Sequence, residues 1–261
     1  MWPYFSILGF YFPAYNLVLA LGLLAALLVL FFAARRKRMA LSFLADHFAL
    51  FAFVAALAGR MTEIALHGYA PSEWLFFWRD TGFSFFGSVT GLLLILFWVV
   101  RRHGEDFFAW LDLAALSTAV LLAFHHLGTL LAGTDYGAPT DSFLQFTFSN
   151  PDSAAPLGLP LHPTQFYALA LTLLFFLLGA FVFKRTRLTG KTGALLIFTL
   201  ALGSFGLDFL RGDSAQLFFA LRASQYFALF FAVIAAGFYY RIKHAAHPAR
   251  TEEFHLNANQ Q

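Results

Sequence analysis

Seven runs of predominantly apolar residues, at about 12–34, 42–66, 84–100, 107–131, 165–183, 193–210 and 224–240, decide what this chain can fold into. A helix that crosses a bilayer needs roughly 20 such residues. Inside hydrocarbon every backbone N–H and C=O must be paired within the segment, so each run is expected to be helical. The predicted fold class is an all-α integral membrane protein with seven transmembrane helices. Charge content agrees. Soluble domains carry about 25% charged residues, whereas this chain has 12% and a mean hydropathy of +0.69. No polar stretch is long enough for a separate soluble domain. Residues 1–244 are read as a single seven-helix domain and 245–261 as a polar cytoplasmic tail, expected to be disordered. The longest break, Gly133 to Leu161, is rich in Gly, Pro, Asp and Ser and reads as a structured loop.

Basic residues set the expected orientation. Arg35-Arg36-Lys37-Arg38, Arg101, Arg102, Lys184, Arg185, Arg187, Lys191, Arg241, Lys243 and Arg250 all follow the first, third, fifth and seventh runs. Only Arg60, Arg79, Arg211 and Arg222 fall on the other side. The positive-inside rule makes the clustered side cytoplasmic, with the N-terminus outside and the C-terminus inside. Loops 67–82, 133–161 and 211–223 then face outward. The first residues carry no Lys or Arg and no small-residue cleavage site, so the first helix is expected to be retained. The same clustering accounts for the basic pI without nucleic-acid binding. With no cysteine, the chain has no disulfide, thiolate metal site or catalytic thiol of its own.

Ionisable groups at membrane depth cost free energy and usually face a cavity or a partner. By this topology the chain gathers them toward the outer leaflet: Arg60, Glu63 and His67 on one helix face, His125 and His126, His162 and Gln165, and Asp208 with Arg211 one turn later. Local ion pairs and helix caps would explain any one of these. The group as a whole fits a polar cavity. Glu63 and His67 have a spacing that could ligate a metal, but the chain has no HExxH motif or repeated histidine box, and neither metal nor other cofactor is expected. Asp46 and His47, at the opposite end, read as interfacial or structural.

Four stretches resemble the prolipoprotein diacylglyceryl transferase family. His162-Pro163-Thr164-Gln165-Phe166-Tyr167 is similar to its His-Pro-Ser-Gln-x-Tyr at the start of a helix. Gly82-Phe83-Ser84-Phe85-Phe86-Gly87, with Gly91, is similar to its Gly-Met-Ser-Phe-His-Gly. His126 through Asp141 resembles the signature Arg-x-Gly-Asn-x-x-Asn-Gly-Glu-x-x-Gly-x-Pro-Thr-Asp, keeping Gly128, Gly133, Tyr136, Gly137 and Pro139-Thr140-Asp141. Asp208-Phe209-Leu210-Arg211 resembles its Glu-Phe-x-Arg, and Tyr15 and Arg60 fall where the family has a Tyr and an Arg. The chain departs from the pattern where charge is handled. Phe86 replaces a His, His126 the signature Arg, Thr129 and Ala132 the signature Asn residues, Thr134 the Glu, and Ser204 an Arg on the sixth helix.

The resemblance implies a bacterial inner-membrane enzyme that moves a diacylglyceryl group from a phosphatidylglycerol-like phospholipid to a lipoprotein precursor or another acceptor. It implies catalytic roles for His126 and His162. Substrate contacts fall to Tyr15, Arg60, Thr129, Gly133, Tyr136, Gly137, Gln165, Asp208 and Arg211. Displacing glycerol phosphate calls for cations on the phosphate and help in deprotonating a thiol. Arg binds phosphate bidentately, and His126 can stand in for it only when protonated. A non-catalytic lipid-binding or partner-binding protein on the same scaffold is the alternative. A transporter ranks last, because neither broken helices nor paired repeats are visible.

Overall fold

The computed structural model describes residues 3–7, 10–67, 84–186, 189–213 and 219–245. The loop 68–83 with Arg79 and Gly82-Phe83, Arg187, the tail 246–261 with Arg250, and the side chain of His67 lie outside the described residues. Among the described residues, seven helices are long and apolar enough to cross a membrane. They are α1 (Ala14–Lys37), α2 (Leu41–His67), α3 (Phe85–His103), α4 (Phe107–Ala132), α5 (Thr164–Arg185), α6 (Lys191–Leu207) and α7 (Ala223–Ala245). Each starts and ends within a few residues of its apolar run, and a single 3-10 turn, Asp208–Leu210, extends the sixth. The protein is therefore a multi-pass membrane protein, as the sequence predicts.

Two compact units make up the chain, residues 31–110 and the combination of 1–30 with 111–261. In the smaller unit α2 packs on α3 through small residues. A Cβ on Gly91 would lie 2.4 Å from the Ala58 Cβ, and one on Gly87 would lie 2.8 Å from the Ala58 carbonyl oxygen. The four-residue spacing of Gly87 and Gly91 opens one face of α3 to close approach, which is how apolar helices gain dispersion energy when lipid removes the hydrophobic drive. Ser84 caps α3 by accepting from the Gly87 N–H at 3.3 Å. Arg60 sits in this unit on α2 and is only 2% exposed.

In the larger unit a two-stranded hairpin precedes α1, with β1 (Tyr4–Ile7) antiparallel to β2 (Phe10–Pro13). Nothing in the apolar pattern foretold it. Helix α1 meets α4, since a Cβ on Gly22 would strike Phe124 and one on Gly128 would come 2.9 Å from the Tyr15 ring. Helix α6 packs against both α5 and α7. The long loop is ordered, as expected. Strand β3 (Phe146–Thr147) pairs with β4 (Pro160–Leu161), and Phe148, Ala155 and Leu161 form a small core with Tyr136 and Phe146 packed against it.

Basic residues that close the helices lie over aromatic rings one turn earlier. Arg35 is 4.6 Å from the Phe31 ring, Arg101 5.0 Å from Phe97, Arg102 5.4 Å from Trp98 and Arg185 4.7 Å from Phe181. A long cationic side chain folded back on an aromatic ring suits the boundary between hydrocarbon and headgroups.

Candidate functional site

Helix α4 ends at Gly133, whose φ of 77° places it in the left-handed region that glycine enters without strain. The N–H groups of Gly133 and Thr134 both reach the Thr129 carbonyl, at 2.8 and 3.0 Å. Thr129 itself is buried, and its hydroxyl donates back to the His126 carbonyl at 3.0 Å. The chain then turns through Asp135, a second left-handed residue with φ of 56°. A non-glycine residue rarely holds this conformation, although Asp tolerates it best, and here its surroundings enforce it. The Thr164 hydroxyl donates to the Asp135 carbonyl at 2.6 Å, and the Gln165 amide to the Thr134 carbonyl at 2.7 Å. The His-Pro-Thr-Gln stretch that opens α5 thus grips the turn.

Beyond the turn, residues 136–139 run as a middle strand between two other segments. On one edge Gly137 N–H donates to the His162 carbonyl at 3.2 Å and His162 N–H to the Ala138 carbonyl at 3.0 Å. On the other, Ala138 N–H donates to the Leu210 carbonyl at 2.7 Å and Gly212 N–H to the Tyr136 carbonyl at 2.9 Å. Three of the sequence motifs, around His162, Gly137 and Arg211, are therefore stitched together by backbone hydrogen bonds. The ring of His162 lies 6.5 Å from that of Tyr167, and its buried Nδ1 has no hydrogen-bond partner among the described residues.

The turn aims the Asp135 carboxylate at a line of polar side chains. Its Oδ1 accepts from Arg211 Nη2 at 2.6 Å, and its Oδ2 lies 3.4 Å from His125 Nε2. The other ring nitrogen of His125 is 3.0 Å from the Tyr15 hydroxyl. Arg211 also binds Asp213 through Nε and Nη2, both at 2.9 Å, while its Nη1 stands 3.7 Å from Asp208. Ser224 hydrogen-bonds to Asp208, and Arg222 donates to the Arg211 carbonyl at 2.6 Å. Of the residues proposed from sequence, Tyr15, Asp208 and Arg211 join this network through their side chains. Gly133, Gly137, Gln165 and Thr129 shape its backbone. His126 lies beside His125, ring centroids 5.2 Å apart and planes inclined at 59°. Arg60 belongs to the other unit.

Asp135, Asp213 and Ser224 are members that the sequence does not single out. His125 belongs to the polar group that the sequence places at the outer leaflet but carries no role there, and Asp135 falls on an unspecified position of the signature. The available signal was chemical: Asp135 is the one carboxylate beside Thr134, where the family signature has Glu.

Burial alone would raise the Asp135 carboxyl pKa. The hydrogen bond from His125 and the charge of Arg211 outweigh that and hold it at about 2. Arg211 is pushed upward despite burial, chiefly by Asp135 and Asp213. A carboxyl whose folded pKa lies below its ordinary 3.8 stabilises the fold fully above that value and loses the contribution as pH falls toward 2. Acid titration in detergent should therefore cost roughly 2 kcal/mol between about pH 4 and 2 through this group. Asp135→Asn should be less stable at neutral pH and should lack that acid-dependent component when melting temperature is followed against pH.

Comparison with known proteins extends beyond the four motifs. The family described as "Prolipoprotein diacylglyceryl transferase" matches residues 3–241. A phosphatidylglycerol–prolipoprotein diacylglyceryl transferase of Clostridium tetani is 28% identical over 239 residues, covering 88% of this chain and 93% of the relative. A second, from Clostridium perfringens, is 29% identical over 174 residues, 62% of this chain and 66% of the relative. One from Pseudomonas putida is 30% identical over 156 residues, 58% of this chain and 57% of the relative. The match begins before the N-terminal hairpin and runs into the last turns of α7, so that six helices and most of the seventh fall inside it, and the chain belongs to the prolipoprotein diacylglyceryl transferase family.

Proposed function

We propose that this protein transfers the diacylglyceryl group of phosphatidylglycerol to the cysteine thiol of a lipoprotein precursor, at the outer face of the bacterial inner membrane. The observation that carries this reading is the backbone stitching of residues 136–139 between the His162 and Arg211 segments, which brings three family motifs to one end of one unit. The thiolate displaces glycerol phosphate from the lipid, so the phosphate must be held and the thiol deprotonated. Arg211 offers Nη1, its least engaged nitrogen, 3.7 Å from Asp208. His126, when protonated, is the other candidate phosphate ligand in this unit. Tyr136, His162 and Gln165 frame the loop around which the substrate binds.

Phe86, where the family has a His, favours the second reading, a lipid-binding protein without chemistry. One experiment separates them. Cells depleted of their own prolipoprotein transferase are supplied with this protein, and growth and lipoprotein modification are followed. Restored modification is the expected result. Purified protein that binds phosphatidylglycerol while neither the cells nor a cysteine peptide acquire the lipid would establish the binding reading instead.

A further inference from the structure

We propose that His125, oriented by Asp135 and linked to the Tyr15 hydroxyl, is the general base that deprotonates the acceptor. This rests on the transferase reading above and names the machinery for its proton. The geometry comes first. An ionised Asp135 can only accept a hydrogen bond, so neutral His125 carries its proton on Nε2, facing Oδ2 at 3.4 Å. The lone pair is then on Nδ1, where the Tyr15 hydroxyl donates at 3.0 Å. Carboxylate, imidazole and hydroxyl in this order form the constellation that passes a proton from a hydroxyl-side donor to a ring nitrogen while the carboxylate steadies the imidazolium.

Position supports the assignment. The side chains of His125 and Asp135 are 25% and 27% exposed, enough for a substrate to approach. Asp135 is fixed on its other oxygen by Arg211 at 2.6 Å and at its carbonyl by Thr164, and the preceding Thr134 carbonyl is held by Gln165. A left-handed aspartate held at three points is more order than an ion pair at a helix end requires. The edge-on approach of the Tyr15 and His125 rings, centroids 5.8 Å apart, fixes the imidazole plane.

The acceptor S–H gives its proton to the Tyr15 oxygen while the Tyr15 proton moves to His125 Nδ1, leaving a thiolate and an imidazolium paired with Asp135. A sulfur–carbon bond forms at the glyceryl carbon as its carbon–oxygen bond to phosphate breaks. The electron pair leaves on the phosphate oxygen, which takes the proton back from His125 through Tyr15. Neither oxidant nor further reactant is needed. Tyr15 receives the acceptor's proton and His125 takes the one that Tyr15 gives up, so the two form one catalytic relay, and Asp135 is a positioning residue acting through His125.

The test uses the full chain in mixed micelles with phosphatidylglycerol and two peptides that differ only in carrying cysteine or selenocysteine. A selenol is ionised at neutral pH and needs no base. His125→Gln should cut kcat for the cysteine peptide by roughly a hundredfold or more, while transfer to the selenocysteine peptide stays near the wild-type rate. Asp135→Asn should show the same selective loss in milder form. Equal activity of His125→Gln and wild type on cysteine overturns the base assignment and leaves the transferase reading standing. So does loss on both peptides by a variant whose melting temperature is unchanged. If His125→Gln does not fold, the selectivity of Asp135→Asn decides in its place. Wild-type protein that lipidates neither peptide overturns the transferase reading, and the base with it.

Discussion

Gly137→Val should reduce diacylglyceryl transfer by roughly a hundredfold while leaving a folded, membrane-inserted protein. A Cβ at this position would lie 2.3 Å from the His162 carbonyl oxygen and 2.5 Å from the His162 Cβ. Both atoms belong to a backbone segment tied to the same strand by two hydrogen bonds, so neither can swing aside as a long side chain would. The opposite edge is equally close, because a Cβ on Gly212 would stand 2.7 Å from the Gly137 carbonyl oxygen. Forcing extra carbon between these three segments costs on the order of 3 kcal/mol. The strand must move, taking with it the Asp135 turn and the Arg211 segment. The helices are untouched, so circular dichroism should be unchanged. Normal transfer by Gly137→Val would show that the stitched loop has no part in the chemistry.

Asp112→Ala should do the reverse, lowering stability sharply and sparing the chemistry. Asp112 lies on α4 and is fully buried. Its two oxygens accept from Gly190 N–H at 2.9 Å and Gly193 N–H at 2.6 Å. Those groups open α6, whose cap residue, Gly190, has no side chain with which to satisfy them. The carboxylate of another helix therefore does the work of an N-cap, and its negative charge meets the positive end of the helix dipole. Alanine would leave two buried donors without an acceptor, at a cost of roughly 3–5 kcal/mol. The melting temperature in detergent should fall by roughly 10 °C. Asp112 stands thirteen positions before His125 on α4, about 20 Å along its axis, so kcat measured below the new transition should stay near wild type. An unchanged melting temperature would show that solvent or lipid headgroups replace the cap.

The different reach of these two changes marks what sequence could and could not carry. The seven spans were legible because a spanning helix satisfies its hydrogen bonds within itself, and its length is set by the bilayer rather than by any partner. The ordered loop was legible in outline from its Gly, Pro and Asp content, and the family from the order of four short motifs. Asp112 was invisible, since its partners lie 78 and 81 residues away and a single carboxylate in an apolar run carries no local sign of what it caps. The N-terminal hairpin was missed because two strands of four residues beside a spanning helix leave little periodicity to read.

At the site the division falls between neighbouring residues. Motif order points to His126, which takes the place of the signature Arg, and the chain alone cannot separate it from His125. Successive residues on a helix differ in direction by about 100°, and only the packing of α1 against α4 turns one of the two rings toward the Tyr15 hydroxyl. Asp135 is likewise an anonymous letter of the signature until its left-handed backbone, gripped by Thr164 and Gln165, swings its carboxylate between His125 and Arg211. Sequence determined the bundle and the family, because span length and motif order are properties of the chain taken one segment at a time. Tertiary structure decided which histidine is held on both its nitrogens, because that depends on where side chains more than a hundred residues apart are made to meet.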